Sequence, residues 1–262
     1  SHHNNISYMR YLQLVGKASP IGIDLDSSGN NTLTELNITE NAQGGGGQGT
    51  GIKVSSSGAA SSENNTFYKI NITSSSSRGL GIRIQNNAHH NNFTAIRSVT
   101  EGSSAKSLDV TGGEKNRIDD STFIATGEKG VAVSLSNVAN HTLIDKTNMT
   151  TTGAPGGMGT SPVALLVSSA NHTIVQNSFI NSSNSNDIMF DTGENNSVIN
   201  STFNRTNVSM NSGMGSGKGE GFVKWWVIVN VTDVDDTSKQ LVGANVSAYN
   251  VSIPLPQCSD GI

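Results

Sequence analysis

The chain has 262 residues, a formal net charge of −4, 34% apolar, 5% aromatic and 14% charged residues. So weak a charge excludes a strong nucleic-acid or membrane-surface field, and so few apolar residues exclude a thick globular core. Cys258 is the single cysteine, which excludes an internal disulfide framework and a multi-cysteine zinc site, and no apolar run reaches the eighteen residues of a membrane span.

From the first residues a polar, Asn-rich phrase recurs, and the first apolar residue after it falls at Ile6, Leu33, Phe67, Phe93, Ile118, Leu143, Ile174 and Val198. Those positions are separated by 27, 34, 26, 25, 25, 31 and 24 residues, a coil of about 25 residues with insertions. The long intervals hold "NAQGGGGQGTG" at 41–51 and "TTGAPGGMGTSP" at 151–162, which read as loops bulging from one corner. A second stretch in each repeat alternates apolar and polar: "IGIDL" at 21–25, "GIKV" at 51–54, "GIRI" at 81–84, "SLDV" at 107–110, "VAVSL" at 131–135 and "DIMF" at 187–190. Period-two Ile, Val and Leu predict short half-buried strands. Residues 1–210 are therefore expected to form an all-β fold, a right-handed parallel β-helix of about eight rungs.

Two places before each apolar anchor stand Asn4, Asn31, Asn65, Asn91, Asn116, His141, His172 and Asn196. Asn tolerates the left-handed backbone of a turn, and its amide can donate to one rung while accepting from the other, so this column predicts an asparagine ladder. Asn-x-Ser/Thr sequons occur at Asn5, Asn30, Asn37, Asn64, Asn71, Asn92, Asn140, Asn148, Asn171, Asn181, Asn195, Asn200, Asn204, Asn207, Asn230, Asn245 and Asn250. They point to a secreted glycoprotein, with Asn30, Asn64, Asn140, Asn171 and Asn195 forming one outward column beside the ladder.

The outward positions of the second strand carry Asp24, Lys53, Arg83 and Asp109 on successive rungs, a charge ladder that favours correct register. Two places after the anchors the column contains Glu35, Lys69, Ala95, Asp120, Asp145, Gln176 and Asn200. Asp120 and Asp145, with Asp119 beside them, would thus be neighbours and the best candidates for polysaccharide cleavage by paired carboxylates; Lys146 is expected to neutralise an exposed acidic pair there. His141 and His172 read as ladder substitutes rather than a metal pair, since no third ligand is evident. His89 and His90 read as solvated turn residues. The tetraglycine at 44–47 lacks the strand-to-helix context of a phosphate loop.

After Phe203 the rhythm fails. "NSGMGSGKGEG" marks 211–221 as a linker, and residues 222–262, with Val227, Val229 and Val231 alternating before "DVDDTSKQ", read as the first hairpin of a β-sandwich-like module. Trp225 and Trp226 are expected to cap the end of the solenoid. Asp233, Asp235 and Asp236 are expected to form a solvated turn, with weak structural calcium as the alternative and no other cofactor.

The phrases "NHTIVQNSFINSS", "ENNSVINSTF" and "LGIRIQNNAHHNNF" resemble the parallel β-helix repeats of the pectate-lyase-like superfamily that includes periplasmic copper-processing proteins and many archaeal surface proteins. The tail, "VKWWVIVNVTD" and "LVGANVSAYN", resembles the opening of carboxypeptidase-regulatory-like or immunoglobulin-like modules. No Met or Cys cluster supports a copper role. The resemblance specifies fold more than activity, because one solenoid serves lyases, hydrolases, adhesins and surface-layer subunits. The expected function is that of a glycosylated, non-enzymatic structural protein of the cell exterior, assembling with itself and other envelope proteins as a filament or surface layer. The alternatives are a β-helix carbohydrate-active enzyme, or an adhesin built on the two inserted loops.

Overall fold

The computed structural model describes residues 3–9, 11–16, 19–42, 47–58, 60–154, 161–210 and 219–225. Parts of both inserted loops, most of the linker, Asp233, Asp235, Asp236 and the module from residue 226 onward lie outside the described residues. The described chain is a parallel β-solenoid of about eight turns, made of one fourteen-stranded and one eight-stranded sheet. Its one helical turn among the described residues is the 3-10 segment Arg205–Asn207, and none of its helices is long and apolar enough to cross a membrane.

Each turn lays down three short strands. In the eight-stranded sheet, Ile21–Asp26, Thr50–Ser55, Leu80–Gln85, Lys106–Thr111, Val131–Ser136, Val163–Ser168, Asn186–Thr192 and Val208–Met210 follow one another in chain order. The other two strands of each turn belong to the fourteen-stranded sheet. In early rungs they run as one, Thr32–Ala42 and Thr66–Ser74; in later rungs they separate into pairs such as Asn92–Thr94 with Arg97–Thr100 and Arg117–Asp119 with Thr122–Ala125. Gly221–Lys224 pairs in parallel with Asn196–Ile199, so the solenoid continues past residue 210 to Lys224. Trp225 stands against Phe203, with ring centroids 6.4 Å apart, and under Arg205.

The core is a set of columns along the axis. Ile52, Ile82, Leu108, Val133, Leu165 and Ile188 line one column, and Leu33, Phe67, Phe93, Ile118, Ile144, Val175 and Val198 face them, all buried. Phe67 and Phe93 stack with centroids 4.3 Å apart. Each such side chain contributes about 1.5–3 kcal/mol by leaving water, which a polar, glycine-rich chain needs to offset its ordering cost.

Register corrects two anchors. Ile118 lies opposite Ile144, and Ile144 opposite Val175, with Leu143 and Ile174 facing outward beside Arg117. The column predicted from Leu143 and Ile174 is therefore out by one residue. "TLID" and "TIVQ" each offer two adjacent apolar residues, and because side chains alternate, choosing the first of the two reverses the faces.

The same slip corrects the ladder. Asn4 Nδ2 donates to Asn31 Oδ1 at 2.9 Å, Asn31 to Asn65 at 2.8 Å, Asn65 to Asn91 at 2.9 Å and Asn91 to Asn116 at 3.1 Å. The next interior positions are Thr142 and Thr173, each 1% exposed, before Asn196 resumes the column. His141 and His172 instead occupy the preceding left-handed position, with φ of 53° and 56°, where their rings stack outside the solenoid at 4.9 Å. Asn140 and Asn171 accordingly fall one residue before the left-handed column that contains Asn30, Asn64 and Asn195.

On the outer face of the eight-stranded sheet, Asp24, Lys53, Arg83 and Asp109 stand in direct register. Lys53 pairs with Asp24 at 3.0 Å; Asp109 meets Lys106 at 2.7 Å and Arg83 Nε at 3.7 Å. Asp109 is only 4% exposed. Asp109→Ala leaves two cations beside a covered gap and is expected to lower unfolding free energy by about 2 kcal/mol, read by urea denaturation; Asp24→Ala, at an exposed pair, is expected to cost under about 1 kcal/mol.

Candidate functional site

The corner between the two strands of the larger sheet is a one-residue bend. Tyr8, Glu35, Lys69, Ala95, Asp120, Lys146, Asn177 and Asn200 occupy it in successive rungs, all with positive φ. Left-handed backbone costs a residue bearing a Cβ about 1–2 kcal/mol, so something inside must hold the bend. In the later rungs that support is a ladder of hydroxyls. Ser121 Oγ accepts from Ile96 N at 3.1 Å, Ser178 Oγ from Thr147 N at 3.1 Å and Ser201 Oγ from Ser178 N at 3.1 Å. Each of these hydroxyls also donates to the carbonyl two residues earlier, Ser121 to Asp119, Ser178 to Gln176 and Ser201 to Ile199, and the Thr147 hydroxyl donates likewise to Asp145. The backbones of Asp119 and Asp145 are thereby fixed from inside. Sequence reading missed this ladder, although "DDS", "DKT" and "QNS" carry it.

Asp119 and Asp145 are the outward partners in register on adjacent strands, not Asp120 and Asp145. Asp120 is exposed at the bend, in the column of Lys146. Register partners on neighbouring strands stand about 4.8 Å apart, so the two carboxylates share one small region of surface. Asp145 is 7% exposed, and its Oδ1 accepts from Asn177 Nδ2 at 2.9 Å; Asn177 Oδ1 in turn accepts from Asn200 Nδ2 at 2.9 Å. That relay orients Asp145 from the two rungs beyond it. Asp119 Oδ2 accepts from Arg117 Nη2 at 3.2 Å, while Asp119 Oδ1 is buried with no hydrogen-bond partner. Lys146 makes no ion pair among the described residues; Arg117 is the cation at this site.

Elsewhere, His89 is half-buried and its Nδ1 accepts from Glu114 N at 2.9 Å, which corrects its reading as a solvated residue. Glu40, fully buried, accepts from the hydroxyls of Ser74 and Ser76 at 2.5 and 2.6 Å. No group of three or more His, Cys, Asp or Glu side chains is gathered as a metal site among the described residues.

No family model and no curated protein matches the sequence. Among solved structures the chain is similar to the catalytic domain of a GH87 α-1,3-glucanase in complex with nigerose, at 12% identity and a TM-score of 0.46 over 76% of this chain and 45% of that one. It is also similar to a rhamnogalacturonan lyase, at 11% identity and a TM-score of 0.43 over 86% of this chain and 74% of that one, and to the Dettilon tailspike protein, at 9% identity and a TM-score of 0.32. The chain thus spans less than half the length of the glucanase domain. The expectation of a non-enzymatic, self-assembling filament or surface-layer subunit is corrected here: these similar structures are a glucanase domain, a lyase and a tailspike, none of them a filament or surface-layer subunit, and at these identities the likeness shows the solenoid fold alone.

Proposed function

We propose that this chain is a carbohydrate-active β-solenoid that hydrolyses glycosidic bonds of an extended polysaccharide, with Asp119 and Asp145 as its carboxylate pair. The observation that carries the reading is the register pair itself, in which one carboxylate is oriented through Asn177 and Asn200 and the other holds a buried oxygen with no partner. Folded proteins leave few buried polar atoms unpartnered, which sets Asp119 apart from the other outward carboxylates, and two carboxylates in register suit the acid and the nucleophile of glycoside hydrolysis. In its acid form Asp119 gives a proton to the glycosidic oxygen as the bond to the anomeric carbon breaks. Asp145, its orientation fixed by Asn177, attacks that carbon, and water then releases the sugar with Asp119 taking back a proton.

Exposed sequon asparagines at Asn64, Asn148, Asn195 and Asn204 support placement outside the cell, where polysaccharides are met and N-glycans are attached. The test is incubation with soluble starch, galactomannan, mixed-linkage glucan, an α-1,3-glucan and a rhamnogalacturonan. New reducing ends are expected from at least one of them with the native protein and from none with Asp145→Asn; equal release by both proteins would remove the site.

A further inference from the structure

Two rungs toward the amino end from the acidic pair, the same corner opens into a hollow of about 580 Å³ lined by Tyr8, Glu35, Asn37, Lys69 and Asn71. Tyr8 is 72% exposed, against 62% for Tyr11 and 37% for Tyr68, and is the aromatic ring that lines the hollow. Beside it, Asn71 Nδ2 donates to Asn37 Oδ1 at 3.0 Å, Lys69 pairs with Glu35 at 3.7 Å, and the Lys69 ammonium lies 5.1 Å from the centre of the Tyr68 ring. Tyr8, Glu35 and Lys69 are all bend residues with φ between 53° and 58°, so their aim is set by the solenoid corner rather than by a loop.

Each feature narrows the ligand. The paired charges of Glu35 and Lys69 cancel, which disfavours a polyanion; the two amides and the ion pair would be left without water by an apolar ligand. A sugar ring has apolar C–H faces to lay on an aromatic ring and a rim of hydroxyls for amides and charged groups. Beyond Lys69 the corner column falls to Ala95 before rising again at Asp120, so a short side chain separates the hollow from the acidic pair. Lys69 stands two rungs, about 10 Å, from the level of Asp119, and Tyr8 four rungs, about 19 Å.

We propose that this hollow is a binding subsite for a neutral, extended polysaccharide, holding one part of the chain on Tyr8 while another lies over Asp119 and Asp145. The proposal rests on the cleavage reading for its purpose, but binding is measured without cleavage. The experiment is affinity gel electrophoresis of the full chain through gels containing starch, galactomannan or mixed-linkage glucan, with rhamnogalacturonan as the acidic comparison. The native protein is expected to be retarded by at least one neutral polymer. Tyr8→Ala is expected to weaken that retardation roughly tenfold, the order of one aromatic contact, while Tyr11→Ala, exposed but outside the hollow, leaves it unchanged. Tyr8 is too exposed for its loss to unfold the chain, which far-ultraviolet circular dichroism checks. Full retardation of Tyr8→Ala, or none of the native protein by any neutral polymer, overturns the subsite; so does a peptide map that finds a glycan on Asn37 or Asn71, since it would fill the hollow. Retardation lost in Tyr8→Ala but with no cleavage by the native protein supports the subsite and removes the catalytic reading instead.

Discussion

Ile144→Asp is expected to prevent the solenoid from folding, while Leu143→Asp, one residue away, leaves it folded. Ile144 is fully buried in the column between Ile118 and Val175. A carboxylate there would be an uncompensated charge in an apolar column, a cost above about 4 kcal/mol and comparable with the whole stability of a domain. Leu143 faces outward in register with Arg117, so an aspartate at 143 gains an opposite charge across the strands, worth about 0.2–1 kcal/mol. Thermal unfolding followed by circular dichroism separates the two variants. If both unfold the chain, or if Leu143→Asp does so alone, the register of rungs five to seven is wrong, and with it the pairing of Asp119 with Asp145.

Asp119→Asn is expected to reduce turnover by roughly 10²–10⁴-fold, the range contributed by a positioned acid or base, and Asp145→Asn, which removes the nucleophile, to leave no detectable turnover. Asp120→Asn, at the exposed bend, is expected to stay within a few-fold of the native rate. Asn177→Ala tests positioning: it removes the amide at 2.9 Å from Asp145 without touching a carboxylate, so turnover should fall with little change in KM. A loss in Asp120→Asn as large as in Asp145→Asn would mean that the bend residue, not the register pair, carries the chemistry.

The opposite behaviour expected of neighbouring residues shows what the sequence conveys and what it conceals. The repeat interval, the six strands read at 21–25, 51–54, 81–84, 107–110, 131–135 and 187–190, the four amide links from Asn4 to Asn116 and the charge ladder are legible because each is a spacing of distinctive residues, whereas Val163–Ser168 of the same sheet was not read. Phase is harder to read. Where a rung offers Leu143-Ile144 or Ile174-Val175, composition gives no sign of which enters the core, and the error carried His141, His172 and the acidic pair with it. The hydroxyl ladder of Ser121, Thr147, Ser178 and Ser201 was hidden for a different reason: in so Ser- and Thr-rich a chain a column of hydroxyls does not stand out until the hydrogen bonds are seen. Function was least legible of all. A solenoid serves many activities, and its chemistry depends on which outward residues meet across rungs, a property that a one-residue slip erases.

The most direct test of the central claim is proton NMR of the anomeric region during digestion of whichever polysaccharide the native protein depolymerises. Double displacement by Asp119 and Asp145 predicts that the first-formed sugar retains the configuration of the bond cut, mutarotates only afterwards, and is absent with Asp145→Asn. Inverted product, unsaturated product from elimination, or no product from any polysaccharide would contradict the assignment of this pair as the hydrolytic site.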